Sequence, residues 1–189
     1  MTANISQAQE DKKLVADSLE NPNNFRLLVE KYQAPLLRYV RRLLSVPMED
    51  AEDVVQEVFI KVYQNLNGYN PELPFSSWVY RIAHNTAISF YRSTRKFKAN
   101  TSVDAEENEA LINSLELSVN PKNQIEAVLL MDHARQAIDD LPKTLRDVSL
   151  LRFLEDKSYQ EISDILRMPI GSVATAVARA RKKIVEKLV

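Results

Sequence analysis

Ser158-Tyr159-Gln160-Glu161-Ile162-Ser163-Asp164-Ile165-Leu166-Arg167-Met168-Pro169-Ile170-Gly171-Ser172-Val173 is the stretch that decides the fold. It opens on a capping box, in which the Ser158 hydroxyl and the Glu161 carboxylate can each satisfy a backbone amide left free at a helix start. That predicts a short helix to about Leu166 and a turn over Arg167 to Ile170. A last helix then runs from Gly171 to Leu188, burying Val173, Val177, Ala180, Ile184 and Leu188. A short helix, a tight turn and a longer basic helix make a helix-turn-helix.

The same periodicity extends in both directions from this motif. Asn120-Pro121 reads as an N-cap followed by proline at the first helical position, opening a helix to Asp140 that carries Ile125, Val128, Leu129, Met131 and Ile138. After Leu141-Pro142 a further helix carries Leu145, Val148, Leu151 and Leu154. Residues 95–119 lose the pattern to Lys, Asn, Ser and Glu and read as a flexible acidic linker, with room for a helical turn around Ala110 to Leu115. Near the N-terminus, Asn24 to Leu44 places Phe25, Leu28, Tyr32, Leu36, Tyr39 and Leu43 on one stripe. Pro35 interrupts it at a cost of about 3 kcal/mol, so a kink or break is expected there. A second helix after Pro47 turns Ala51, Val55, Val58, Val62 and Leu66 inward. Gly68 to Pro74 is a loop, and a third helix from about Ser76 to Thr94 buries Val79, Ile82, Ala83, Thr86 and Phe90. No segment alternates with period two over six residues. The fold class is therefore all-α, with two small helical domains, 1–94 and 120–189, joined by the linker 95–119.

Composition narrows the function. With 45% hydrophobic and 27% charged residues, the 189-residue chain can build packed cores. Its only glycines, Gly68 and Gly171, exclude a glycine-rich phosphate loop, and the absence of cysteine excludes disulfides, thiolate metal sites and a cysteine nucleophile. His84 and His133 stand apart on different predicted helices, so no metal-binding spacing is visible and no cofactor or small-molecule substrate is implied. An enzyme is not expected. A polar Met1 to Glu10 and the lack of an apolar run of about 18 residues argue against a signal peptide or membrane span, so the chain reads as soluble and cytoplasmic.

The near-zero net charge of -1 hides a strong segregation. Residues 1–75 carry 8 Lys/Arg against 11 Asp/Glu, whereas residues 76–98 carry Arg81, Arg92, Arg95, Lys96 and Lys98 with no acid. The end of the chain gathers Arg179, Arg181, Lys182, Lys183 and Lys187 against Glu186 alone. Two basic patches between acidic stretches suit a chain that meets a polyanion twice, although solvated helix faces produce the same pattern. On the third helix, Trp78, Arg81, Asn85 and Arg92 recur on a face distinct from the core stripe, with Tyr69, Asn70 and Phe75 in the adjoining loop and Tyr80 and Tyr91 on the helix. Rings among cations are what a single nucleic-acid strand requires, a stack and a phosphate counter-charge; the bland alternative is that Trp78 plugs the bundle. The acidic face of Asp50, Asp53, Gln56 and Glu57 repels DNA and is either solvated or docked on a basic protein. In the last helix, Ser172, Ala174, Thr175, Ala176 and Ala178 offer base edges few donors, which leaves Arg179, Arg181, Lys182 and Lys183 for phosphates.

Taken together, these strings resemble the extracytoplasmic-function group of bacterial RNA polymerase sigma factors, near its envelope-stress branch. The resemblance is carried by Asp50 to Tyr63, Phe75 to Ala87, Leu141-Pro142, Leu150-Leu151-Arg152, Ser158 to Ile162 and Pro169 to Val173, in order and spanning both domains. It implies a two-domain initiation factor. Asp50, Asp53, Gln56, Glu57 and Ile60 would contact the clamp helices of the polymerase core. Tyr69, Asn70, Phe75, Trp78, Tyr80, Arg81, Asn85 and Arg92 would hold the melted minus-ten element with a flipped base. The C-terminal domain, through Ser172, Thr175, Arg179, Arg181, Lys182 and Lys183, would bind the minus-thirty-five element of promoter DNA beside the polymerase flap. The linker would thread toward the RNA exit channel, and an anti-sigma factor would be a further partner. Four positions depart from the family pattern: alanines stand at 174 and 176 where cations are usual and at 178 where a bulky or polar residue is common, and Arg167 stands where the turn usually has glycine. Two readings remain beside this one: a polymerase-binding module with impaired upstream recognition, and a conventional dimeric helix-turn-helix regulator.

Overall fold

A computed structural model describes the backbone of residues 2–100 and 133–188, and among these residues every regular element is helical. The helices are α1 (Thr2–Glu20), α2 (Phe25–Leu44), α3 (Met48–Asn65), α4 (Phe75–Asn100), α5 (133–139), α6 (Lys143–Ser149), α7 (Tyr159–Leu166) and α8 (Ile170–Leu188). They belong to two compact units, α1–α4 forming one and α6 and α8 pairing in the other. Residues 101–119 of the expected linker and the helix start at Pro121 lie outside the described residues. Within the described residues no helix is long and apolar enough to cross a membrane.

Periodicity predicts three helices in the first unit; the structure has four. In the additional one, α1, the described side chains of residues 8–20 turn inward a narrow strip on which Asp11, Val15 and Ser18 are buried, and two of those three are polar. Over those residues the apolar contribution is small, and polar tertiary bonds add to it. The Asn24 amide donates to the Asp17 carbonyl at 3.1 Å, and Lys31 bridges Glu10 at 2.6 Å and Asp11 at 2.8 Å.

Pro35 does not break α2, which runs unbroken from Phe25 to Leu44. Leu28, Tyr32, Leu36, Tyr39, Val40, Leu43 and Leu44 are buried along its length. At about 1.5–3 kcal/mol for each large side chain, that burial outweighs a proline penalty of about 3 kcal/mol. The helix closes on Ser45 in the left-handed conformation, its N–H donating to the Arg41 carbonyl at 2.9 Å. On α3, Ala51, Val55, Val58 and Val62 are buried as the stripe predicts, joined by Val54, and Glu49 and Asp50 in the first turn complement the helix dipole.

The fourth helix begins at Phe75 and continues six residues past Thr94 to Asn100, which removes 95–100 from the expected linker. No glycine or proline interrupts that stretch, and Arg92, Arg95, Lys96 and Lys98 lie where the carboxyl end of the dipole favours cations. Val79, Ala83 and Thr86 are buried as expected, whereas Ile82 and Phe90 are half-buried; Tyr80 and Ala87 take the deeper places.

In the second unit the core is Ala137, Ile138, Leu141, Val148, Leu150, Leu151, Ile162, Val173, Ala176, Val177 and Ala180. α6 widens into a π-helical turn over Leu150–Leu154, closed by the Glu155 N–H on the Leu150 carbonyl at 3.1 Å. The capping box forms in both directions: Ser158 N–H donates to Glu161 Oε2 at 2.9 Å, and Glu161 N–H to Ser158 Oγ at 3.2 Å. α7 ends with Arg167 at φ 52°. The Met168 N–H reaches back to the Ser163 carbonyl at 3.1 Å, and Ser163 Oγ donates to the Met168 carbonyl at 2.6 Å. This is a Schellman-type close in which Arg167 holds the place glycine would take freely, at a strain of about 1–2 kcal/mol. Leu188, expected in the core, is 37% exposed.

Candidate nucleic-acid interface

The loop between α3 and α4 is held by its own polar groups. Leu66–Gly68 form a 3-10 turn, and the Tyr69 hydroxyl donates to the Leu73 carbonyl. Asn70 closes the tip twice, its Oδ1 accepting from Glu72 N–H at 3.0 Å and its carbonyl from Leu73 N–H at 3.1 Å. These bonds draw Tyr69 inward, where burial, and secondarily the Asp11 charge, pushes its hydroxyl up to about 12. Below it a cluster of rings converges: Tyr69 and Phe75 meet edge to face at 5.2 Å, Tyr69 and Trp78 lie at 5.4 Å, and Phe75 and Trp78 at 5.6 Å. A second pair, Tyr39 and Tyr80, sits at 5.2 Å, with the Tyr39 hydroxyl 2.9 Å from His84 Nδ1.

The eight residues expected to face a single strand thus separate into two sets. Tyr69, Phe75 and Tyr80 are core residues at 8%, 1% and 3% exposure and present no ring face to a base in this conformation. Their burial follows from the loop bonds and from α2, whose Tyr32 covers Phe75 at 5.5 Å. Trp78 and Arg81 are half-buried, and Asn70, Asn85 and Arg92 are exposed. Trp78 is therefore a ring backed by two buried rings, with Arg81 and Asn85 one turn and two turns further along α4. That support is what periodicity misses, since it depends on which loop residues fold inward.

On α3, Asp53, Gln56, Glu57 and Ile60 are exposed and Asp50 is half-buried. Glu57 pairs with Lys61 at 3.3 Å along the helix. The face also exposes apolar surface, Ile60 at 51% and Tyr63 at 48%, so it combines carboxylates with unsatisfied hydrophobic area. Tyr63 was not flagged by the charge pattern; its position seven residues after Gln56 places it on the same face.

In the second unit Ser172, Thr175, Arg179, Arg181, Lys182 and Lys183 are all exposed. At 100° per residue, Ser172, Thr175, Arg179 and Lys183 fall on one face of α8, and Arg181 falls on the opposite side. A shallow cleft agrees with this grouping, since it is lined by Thr144, Leu145, Met168, Ser172, Thr175 and Arg179. Arg181 and Lys182 instead line a groove with Tyr159, Val177, Ala178 and Val185. Ala176, largely buried, also lines the cleft beside Thr175 and Arg179 and brings it no donor. Thr175 Oγ1 donates to the Gly171 carbonyl at 2.9 Å, which further reduces the donors left for direct readout.

The sigma-70 region 2 family matches residues 28–97, and the sigma-70 region 4 family matches residues 133–184. Regions 2 and 4 in this order, each on its own helical unit, define a protein of the sigma-70 type. The ECF RNA polymerase sigma-E factor of Escherichia coli strain K12 is 37% identical over 166 residues, covering 87% of this chain and 86% of that one. Its counterpart in Haemophilus influenzae is 34% identical over 166 residues, covering 87% of each. Two solved structures share the fold. CnrH in complex with the cytosolic domain of CnrY has a TM-score of 0.67 at 23% identity, covering 94% of this chain and 96% of that one. The sigma factor RpoE in complex with the anti-sigma factor NepR, from Bartonella quintana, has 0.62 at 21%, covering 87% of this chain and 96% of that one. The chain belongs to the ECF RNA polymerase sigma factors of the sigma-70 family.

Proposed function

We propose that the first unit docks on core polymerase through the exposed face of α3 and captures the melted minus-ten strand on Trp78, Arg81, Asn85 and Arg92, with Asn70 at the loop tip. The observation that carries this reading is the propped, half-buried Trp78 beside cationic and amide side chains on an otherwise acid-free stretch of α4. A base stacked on that ring recovers about 1–3 kcal/mol, comparable with the few kcal/mol needed to unpair it, so opening requires no nucleotide hydrolysis and no catalytic residue. Tyr69 and Phe75 support the surface from below, while Tyr80 packs on Tyr39. Docking through Asp53, Gln56, Glu57, Ile60 and the half-buried Asp50 is supported by the pairing of charge with exposed apolar area, the composition of a specific protein interface.

The second unit binds the upstream promoter element with Ser172, Thr175 and Arg179 toward the groove and Lys182 and Lys183 on phosphates. With a cleft this poor in donors, shape and backbone charge carry more of the contact than base edges do. A protein inhibitor of the anti-sigma kind is a natural partner, given that both structural neighbours were solved with one or with a partner's cytosolic domain. The protein acts on cytoplasmic polymerase and joins the nucleoid when active.

Reconstitution with purified core polymerase tests the reading. Charge reversal by Asp53→Lys with Glu57→Lys should release the subunit from core, while Asn85→Ala should leave holoenzyme intact and reduce permanganate-reactive thymines on a melted promoter. Retention of core by the reversed variant, or undiminished reactivity with Asn85→Ala, would overturn the corresponding half.

A further inference from the structure

Beneath the rings that prop Trp78 lies a polar contact that no hydrophobic pattern announces. Asp11 on α1 is 4% exposed and Tyr32 on α2 is 6% exposed, and the Tyr32 hydroxyl donates to Asp11 Oδ2 at 2.6 Å. The other oxygen, Oδ1, lies 2.8 Å from Lys31 Nζ but has no well-aligned hydrogen bond, so charge alone holds it. Burial, with the Asp11 charge second, keeps the Tyr32 phenol far above its ordinary range, so its hydroxyl stays a donor. A buried carboxylate with one bond and one half-shielded cation is a poor way to glue two helices together, because an apolar pair of the same shape would do so at least as well. Direction is what such a bond supplies and an apolar contact does not: it fixes where the Tyr32 ring stands.

That ring is the first of a series. Tyr32 meets Phe75 edge to face at 5.5 Å, and Phe75 meets Trp78 at 5.6 Å and Tyr69 at 5.2 Å. Phe75 is also the first residue of α4, so its placement sets where that helix leaves the loop. α1 in addition packs on α4 and on the Leu66–Gly68 turn, the two flanks of the capture loop. A displacement of Tyr32 therefore has a short, fully packed route to Trp78, and interiors of this density transmit it rather than absorb it.

Resting on the reading of Trp78 as the stacking surface, we propose that Asp11 is a positioning residue for promoter-strand capture, holding Tyr32 so that Phe75 and then Trp78 take the pose a base can stack on, without itself touching DNA. This gives α1, which lies outside the matched region 2 segment, a part in melting.

Trp78 is the single tryptophan, so emission from the full-length protein reports its surroundings alone. Asp11→Ala and Tyr32→Phe should each shift that emission to the red and increase its quenching by acrylamide. In holoenzyme they should weaken capture of a single-stranded non-template minus-ten oligonucleotide by about five- to tenfold while core affinity stays within about twofold. Asp11→Asn, whose amide oxygen still accepts from Tyr32, should restore capture to within about twofold of the parent. Unchanged emission and capture in both variants would overturn the proposal, as would core affinity falling in step with capture, or Asp11→Asn behaving like Asp11→Ala. Should Asp11→Ala not fold, Tyr32→Phe, which removes one oxygen, decides the matter. A Trp78→Ala control separates the two levels: capture undiminished there removes the reading of Trp78, whereas capture lost there but kept in both variants removes the role of Asp11 alone.

Discussion

Stacking and charge neutralisation respond differently to salt, and that difference isolates the part Trp78 plays. Replacing Trp78 with alanine removes a ring whose inner side is occupied by Tyr69 at 5.4 Å and Phe75 at 5.6 Å, so one outer surface remains for one base. One base on one ring is about 1–3 kcal/mol, which at about 1.4 kcal/mol per decade is a loss of about 5- to 150-fold in affinity for the single strand. No phosphate contact is lost, so a plot of log affinity against log salt should shift downward without changing slope. Arg81→Ala should do the reverse in kind, flattening the slope by about 0.7, the value for one phosphate on a single strand. Anisotropy of a labelled non-template oligonucleotide titrated with holoenzyme, across a salt series, reads both quantities. Removing the ring also deletes two aromatic contacts worth about 0.5–1.5 kcal/mol each to the fold, so core affinity and the unfolding midpoint are measured alongside. A Trp78→Ala line within twofold of the parent while core affinity is intact would refute the stacking argument. So would a changed slope in Trp78→Ala paired with an unchanged one in Arg81→Ala.

Three further outcomes follow from the second unit. Arg167→Gly should raise its unfolding midpoint by several degrees in calorimetry, because relieving about 1 kcal/mol in a domain of this size moves the midpoint by about 4–8 °C; no rise would mean that the left-handed turn is unstrained. Asp147 is buried and its Oδ1 has no hydrogen-bond partner; burial holds its carboxyl above the ordinary range against the opposing charges of Arg146 and Lys143. Its ionised form therefore costs stability above the folded pKa, and the cost vanishes as pH falls through that value toward the usual carboxylate range of about 4. Asp147→Asn should accordingly stabilise the unit at pH 7 and flatten its gain on acidification, and a less stable variant at pH 7 would contradict this. Arg179→Ala, on the face of α8 shared with Ser172 and Thr175, should weaken binding of an upstream duplex by holoenzyme and flatten its salt slope by about 0.9, whereas Arg181→Ala should leave the slope unchanged; the reverse pairing would put the duplex on the opposite side of the helix.

Much of the fold was legible because it is written in apolar spacing and in local polar chemistry. The stripes of α2 and α3, the capping box at Ser158 and Glu161, and the turn at Arg167 are all decided by residues within a few positions of one another. What spacing could not show depends on residues far apart. α1 escapes a search for apolar stripes because its buried strip is Asp11, Val15 and Ser18, and its attachment runs through Asp11 to Tyr32, 21 positions away. Pro35 misleads for a related reason: its local cost is fixed, while the burial that overrides it comes from α3 and α4, which pack on α2. Arg181 parts from Arg179 by angle, since the basic run is divided by a helix that turns 100° at each residue.

The aromatic residues show where chemistry ceases to be a property of residue type. Tyr69, Phe75, Trp78 and Tyr80 look equivalent in the sequence, all rings beside cations, and each qualifies as a stacking surface. The loop bonds of Asn70 and the Tyr69 hydroxyl, and the cover supplied by Tyr32, divide them into one half-exposed ring and three buried ones. The division is useful physically. A lone exposed tryptophan on a helix has free rotamers to lose when a base arrives, and that loss subtracts from the stack. A tryptophan already seated on Tyr69 and Phe75 has lost most of that freedom during folding, so more of the stacking energy is available against unpairing. If Trp78 is the stacking surface proposed, the buried Tyr69 and Phe75 assist opening without contacting a base, and substitutions at either should lower capture through the order of Trp78 rather than through any contact of their own.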